Sequence, residues 1–189
     1  SKGKIENEEQ ASKLWMYNQK VFFDNDKLNL VKTHNCLLKF RGNEFTSKNQ
    51  TLGAIYIVRD PRNLITSFTH HYSFTYEDAL NFMMYEKATL VEKSADNDYS
   101  NFTYLNSWSN HYKSWRDNKQ FETLFIKYED LEDNREKIFR QIITFINKLR
   151  GNNDHIDEKK FLNSINSTSF VNMKNKEINE GFEESVISK

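Results

Sequence analysis

The sequence predicts an α/β fold built on a parallel sheet, and two observations carry that prediction. Short apolar runs rich in β-branched and aromatic residues alternate with longer stretches of helical periodicity, and the connections between them are short. The clearest unit is residues 52–72. Gly53-Ala54-Ile55-Tyr56-Ile57-Val58 contains no charge and reads as a strand buried on both faces. Arg59, Asp60 and Pro61 follow, Pro61 being the only proline in the chain. Proline ends the strand and suits the first turn of a helix, which Leu64, Ile65, Phe68 and Tyr72 continue at helical spacing. An arginine at the strand's carboxyl end and a helix amino terminus then share one crevice. That is a place for an anion, an oxyanion or a nucleotide phosphate.

The other elements follow in order. Residues 6–23 read as a helix of modest amphipathicity, and Asp24-Asn25-Asp26 as a turn. Residues 28–34 alternate apolar and polar positions as a strand does, and deliver Lys32 and His34 to its carboxyl end. Residues 41–50 are polar and loop-like. Thr75 is placed to cap another helix, whose apolar residues include Ala79, Leu80 and Met83. Residues 93–101 form a loop, and Leu105, Trp108, Tyr112 and Trp115 recur at helical spacing. Residues 122–128 make a second buried strand. Residues 129–149 form the clearest helix, with Ile138, Ile142, Phe145 and Leu149 among those filling one face and Gly151 as its stop. Short helical pieces around Phe161-Leu162 and residues 170–173 precede a polar tail.

With 189 residues, 37% of them hydrophobic, the chain supports one core, so residues 1–189 read as a single domain. Lys and Arg number 27 against 27 Asp and Glu, which disfavours a general nucleic-acid binder but leaves room for one local basic pocket. The lone Cys36 excludes an internal disulfide and fits a reducing compartment, hence a cytoplasmic location. No apolar run is long enough to span a bilayer. The chain opens at Ser1 in a polar stretch, as a fragment or processed chain would.

Two groups of residues suggest chemistry. Arg59 at the strand end and Ser67, two turns into the following helix, could converge on one phosphate, the guanidinium as a bidentate fork and the hydroxyl as a neutral donor. Alternatively, Arg59 pairs with Asp60 and Ser67 faces solvent. Lys32 and His34, two apart on a strand, share a face. If that face opens on the crevice, His34 serves as general base, because imidazole titrates near neutrality, and Lys32 offsets negative charge. Lys and His at strand ends are also common surface residues. His70 and His71 do not make a metal site, because adjacent helical side chains point about 100° apart. Cys36 has no partner at metal-ligand spacing. Glu129-Asp130 and Glu132-Asp133 read as charge favoured by a helix amino terminus. No complete G-x-x-x-x-G-K-S/T phosphate loop occurs.

Five segments, in order between residues 31 and 173, resemble those of sulfotransferases that use 3′-phosphoadenosine 5′-phosphosulfate (PAPS). Val58-Arg59-Asp60-Pro61-Arg62-Asn63-Leu64-Ile65-Thr66-Ser67 is similar to the family's 3′-phosphate motif, whose Arg and Ser map onto Arg59 and Ser67. Lys32-Thr33-His34 resembles the K-T-H segment, with His34 as catalytic base and Lys32 neutralising the sulfuryl group. Ser107, Trp108, His111 and Trp115 match the S-W-x-x-H-x-x-x-W helix. Tyr128-Glu129-Asp130-Leu131 is similar to Y-E-D-L, whose Tyr lies by the adenine. Thr168, Ser169, Phe170 and Met173 resemble the T-S-F-x-x-M segment that closes over the same base.

The resemblance implies a P-loop-like three-layer α/β fold, with a central parallel sheet flanked by helices. It also implies in-line transfer of a sulfuryl group from PAPS to a hydroxyl or amine, without metal, leaving adenosine 3′,5′-bisphosphate. The implied partner is a small-molecule acceptor, with no nucleic acid and no membrane span; a homodimer is allowed. Trp15, Phe22, Phe23, Phe74, Tyr76 and Phe82 are candidates for an acceptor pocket, although aromatics at such spacing are more often core. The family's proline-lysine-serine-glycine loop and its R-K-G segment have no counterpart in the sequence. The 189 residues therefore read as the middle and C-terminal part of the domain, without the anchor for the reacting sulfate. Asn35-Cys36 stands where many members have Leu-Pro, and Asn63 where the motif has Asp. A nucleotide kinase of the P-loop class and a non-catalytic nucleotide-binding module are the rival readings.

Overall fold

In the computed structural model, which describes residues 3–23, 27–91, 98–152 and 155–180, the chain begins with helix α1 (Glu8–Phe22). Asn7 caps it by accepting from the Gln10 amide, and Glu8 and Glu9 suit the positive helix end. The turn expected at residues 24–26 lies outside the described residues. Residues 28–34 do not form the expected strand. Leu28, Leu30 and Val31 are 44%, 75% and 60% exposed. Alternation gives a segment two faces, but a strand also needs neighbouring backbone to satisfy its amides and carbonyls. Among the described residues this segment belongs to neither sheet.

Strand β1 (Gly53–Val58) and helix α2 (Pro61–Tyr72) form where the sequence places them. Pro61 occupies the first turn, and Asp60 caps the helix by accepting from the Arg62 amide. The strand is not buried on both faces throughout, because Ile57 is 53% exposed. Helix α3 (Tyr76–Met84) starts one residue after Thr75 and buries Ala79 and Met83, one turn apart on one face. Strands β2 (Thr89–Leu90) and β3 (Thr103–Tyr104) pair antiparallel, Thr89 opposite Tyr104 and Leu90 opposite Thr103. Two residues are too few to show a period. Of the loop expected at 93–101, residues 93–97 lie outside the described residues.

Helix α4 (Trp108–Arg116) starts later than the apolar spacing suggests. Asn106 takes a left-handed φ of 60°, which ends the preceding extended backbone, and Ser107 caps the helix from the Asn110 amide. Strand β4 (Glu122–Lys127) pairs with β1 in a parallel two-stranded sheet flanked by helices. The long helix expected at 129–149 is two helices, α5 (Tyr128–Asp133) and α6 (Arg135–Leu149). The break is Asn134, at φ −135° and ψ 45°. Asparagine is a weak interior helix former, so the chain yields there. Helices α7 (Glu158–Ser167), capped by Asp157, and α8 (Phe170–Glu180) complete the described chain. No described helix is long and apolar enough to cross a membrane.

These elements fall into two compact units. The first is Ser1–Tyr56 with Glu77–Thr123. Its core is aromatic: Trp15 stacks on Phe102 at 5.6 Å and meets Phe45 edge-on, while Phe40 contacts Phe102 and Tyr104. Trp15 is thus core rather than pocket lining. The second unit is Ile57–Tyr76 with Leu124–Lys189. It buries Ile126, Ile138 and Phe161, each contributing about 1.5–3 kcal/mol relative to exposure. Arg140 lies over the Phe161 ring at 4.3 Å and pairs with Glu136 and Glu158.

Candidate functional site

Parallel pairing of β1 and β4 sets the two strands' carboxyl ends side by side, and both ends belong to the second unit. Arg59 directly follows β1 and Tyr128 directly follows β4. The Arg59 guanidinium carbon lies 4.7 Å from the centre of the Tyr128 ring. Arg59 Nε is buried and has no hydrogen-bond partner among the described residues. An unsatisfied buried donor costs about 1–3 kcal/mol, more when charged. A stacked guanidinium with such a donor fits an anion supplied from outside the chain.

The pairing of Arg59 with Asp60 that the sequence leaves open does not occur. Asp60 holds Arg62 instead, its carboxylate accepting from the Arg62 Nε at 3.0 Å and from the Arg62 amide at 2.9 Å. The Arg62 side chain, and then its amide, keep the Asp60 carboxyl at about 2, well below the usual range. Ion pairing by the neighbour two residues on leaves Arg59 available.

Glu129, in the first turn of α5 just after the other strand, fixes the same turn. The Asp60 amide donates to Glu129 Oε1 at 3.2 Å. The Glu129 carboxyl is held below its ordinary value by its own amide first, then by the Asp60 amide and the Asn63 side chain. Adjacent residues Tyr128 and Glu129 therefore grip adjacent residues Arg59 and Asp60. Because its folded pKa is depressed, Glu129 contributes stability above its unfolded pKa of about 4.3, and that contribution disappears as pH falls through the folded value. Glu129→Gln is expected to be less stable than the parent at pH 7, with the gap closing on acidification. Chemical denaturation at stepped pH checks this, and a gap that does not change with pH contradicts it.

The other expected nucleotide residues lie in the same unit but make local contacts. Ser67 is half-buried on α2, roughly 10 Å along the helix axis from its cap. The Thr168 hydroxyl donates back to the Ser164 carbonyl at 2.8 Å, and the Thr168 carbonyl accepts from Arg135 at 3.2 Å. Ser169 accepts from the Asn172 amide at the start of α8. Met173 is 51% exposed on α8. Phe170 opens α8, and its side chain lies outside the described residues.

Lys32 and His34 belong to the first unit, and both are exposed. The backbone at and after His34 is stapled down at consecutive residues. His111 Nε2 meets the His34 carbonyl at 3.1 Å, and Trp115 Nε1 donates to the Asn35 carbonyl at 3.1 Å. The Cys36 amide donates to the Tyr104 carbonyl at 2.8 Å, and the Leu37 amide to Ser114 Oγ at 2.9 Å. The Asn35 side-chain oxygen accepts from the Tyr104 amide at 2.8 Å. Cys36 is fully buried, and burial pushes its thiol up to about 11, so it is a packing residue and not a nucleophile. Among the remaining acceptor-pocket candidates, Phe22, Phe23 and Tyr76 are exposed and Phe74 stacks on Tyr72.

Sequence reading missed Glu129 as a turn clamp, and missed Tyr56, Asn35 and Ser114. The available signal for Tyr56 was a phenol inside an otherwise apolar strand, whose hydroxyl needs a partner when buried. A cavity of about 1060 Å³ lies along β4 and α6, lined by Phe125, Asn134, Arg135, Lys137, Arg140 and Lys148 among others. None of the expected site residues line it, and Arg140 is already neutralised by two carboxylates. The orphaned Arg59 donor is the stronger indication of an anion. Among the described residues no three His, Cys, Asp or Glu side chains group as metal ligands.

A family model described as "Sulfotransferase domain" matches residues 11–187. The chain belongs to the sulfotransferase family. Its fold is accordingly P-loop-like α/β, with a parallel sheet flanked by helices, and the nucleotide-kinase reading falls away. The chain is also similar to luciferin sulfotransferase from Photinus pyralis, 23% identical over 145 residues. That match covers 77% of this chain but 35% of the relative, so the chain spans about a third of that protein's length. Family membership supports sulfuryl transfer in general.

Proposed function

We propose that this protein transfers a sulfuryl group from PAPS to a hydroxyl or amine of a small-molecule acceptor. In this reading residues 1–189 belong to a single cytoplasmic sulfotransferase domain. The observation that carries it is the buried, unpartnered Nε of Arg59 beside the Tyr128 ring. A 3′-phosphate would satisfy the guanidinium through charge-assisted hydrogen bonds, and Tyr128 offers an aromatic face for the adenine. Ser67 adds a hydroxyl donor to the phosphate, and Thr168, Phe170 and Met173 close over the base. The donor, when bound, supplies the activated sulfuryl group and departs as adenosine 3′,5′-bisphosphate.

The chain's own contribution is positioning and charge. His34 takes the proton from the acceptor hydroxyl or amine as its oxygen or nitrogen attacks, and Lys32 offsets the negative charge that builds on the group in flight. No covalent enzyme intermediate is needed, and orientation supplies most of the acceleration, as in in-line phosphoryl transfer. Calorimetric titration tests the cofactor class. Adenosine 3′,5′-bisphosphate is expected to bind and ATP is not; preference for ATP overturns the reading.

A further inference from the structure

The backbone staple at His34 contains a hydrogen-bonded chain whose polarity can be worked out. A carbonyl oxygen only accepts, so His111 Nε2, 3.1 Å from the His34 carbonyl, must carry a hydrogen. In a neutral ring Nδ1 is then an acceptor, and the Tyr56 hydroxyl, 2.8 Å away, is its donor. Burial lowers the His111 pKa below its ordinary value, which favours the neutral ring. The Tyr56 ring contacts the rings of both His111 and Trp115, and α4 presents His111, Ser114 and Trp115, at i, i+3 and i+4, on one face toward residues 34–37. The donor sequence runs from Tyr56 on β1 through His111 on α4 to the peptide of His34. Residues 28–33, just ahead of His34, are exposed, so the fixed backbone at and beyond His34 sets where its imidazole projects.

We propose that His111, locked as the Nε2–H tautomer by Tyr56, is a positioning residue for His34. It touches neither donor nor acceptor in this reading; it acts by holding the peptide from which the base projects. The inference rests on His34 being the general base. Misplacement of a reacting group by about 1 Å is enough to lower turnover on the order of 100-fold.

Two measurements test it. Nitrogen-15 NMR of the unaltered protein is expected to show His111 neutral at pH 7, with hydrogen on Nε2 and none on Nδ1. An Nδ1–H tautomer, or an imidazolium, overturns the proposal without touching the assignment of His34. Kinetics supply the second readout. His111→Leu is expected to lower kcat by roughly 10- to 100-fold while leaving the KM for PAPS within about twofold. His111→Gln, whose amide can donate to the same carbonyl, should recover most of that loss. Parent-like kcat in the Leu variant, or equal defects in Leu and Gln, overturns the positioning role. His34→Ala separately reports on the base, so the two failures are distinguishable.

Discussion

Arg59→Ala is expected to weaken binding of adenosine 3′,5′-bisphosphate by roughly 10- to 100-fold, the loss of charge-assisted hydrogen bonds worth about 1.5–3 kcal/mol. The ligand-free protein should be little affected. Truncation removes a stacking contact with Tyr128 worth about 0.5–2 kcal/mol, but it also removes a buried donor that has no partner. These effects oppose each other and are of similar size. The parent's melting temperature should therefore rise with bisphosphate, since a ligand that binds only the folded state stabilises it. The variant should melt near the ligand-free parent and gain little from the same ligand. Differential scanning fluorimetry reads both quantities. A variant that melts far below the parent without ligand would make Arg59 a structural residue instead.

His34→Ala should separate chemistry from binding. Removal of a general base lowers turnover by roughly 100- to 10,000-fold, while the bisphosphate affinity should stay within about twofold of the parent. In this reading His34 acts on the acceptor's proton, whereas Arg59 and Tyr128 hold the nucleotide, and the His34 backbone is held by His111. Replacing the imidazole with a methyl group leaves that peptide hydrogen bond available, so the local fold is preserved. Parent-like turnover in a folded His34→Ala protein contradicts the base assignment.

Much of this arrangement was legible before the structure. The strand, proline and helix at residues 53–72 are written in local signals, an uncharged β-branched run followed by the chain's only proline, and they form as expected. Residues 28–34 carry an equally clear alternation and form no strand, because pairing depends on what lies beside the segment. The break at Asn134 was hidden by the continuous apolar pattern of residues 138–149, which made the whole stretch read as one helix. At the site, residue type and spacing pointed to Arg59 but could not decide its partner. The competition between Arg59 and Arg62 for Asp60 is settled by geometry, since Arg62 on the first helical turn folds back on the cap while Arg59 turns toward Tyr128. Glu129 looked like helix-end charge, and its bond to the Asp60 amide needs two strands in register to exist at all. The segment 34–37 gave no sign of its four-point attachment, because its partners Tyr104, His111, Ser114 and Trp115 lie some seventy or more residues away.

The central claim is that Arg59 and Tyr128 hold a nucleotide by its 3′-phosphate and base. Isothermal titration with adenosine 3′,5′-bisphosphate, adenosine 5′-monophosphate and ATP tests it most directly. The two adenosine phosphates differ only in the 3′ group, so the account predicts binding of the bisphosphate, at least about 10-fold weaker binding of the monophosphate, and no preference for ATP. Equal affinity for bisphosphate and monophosphate, or tighter binding of ATP, would contradict it.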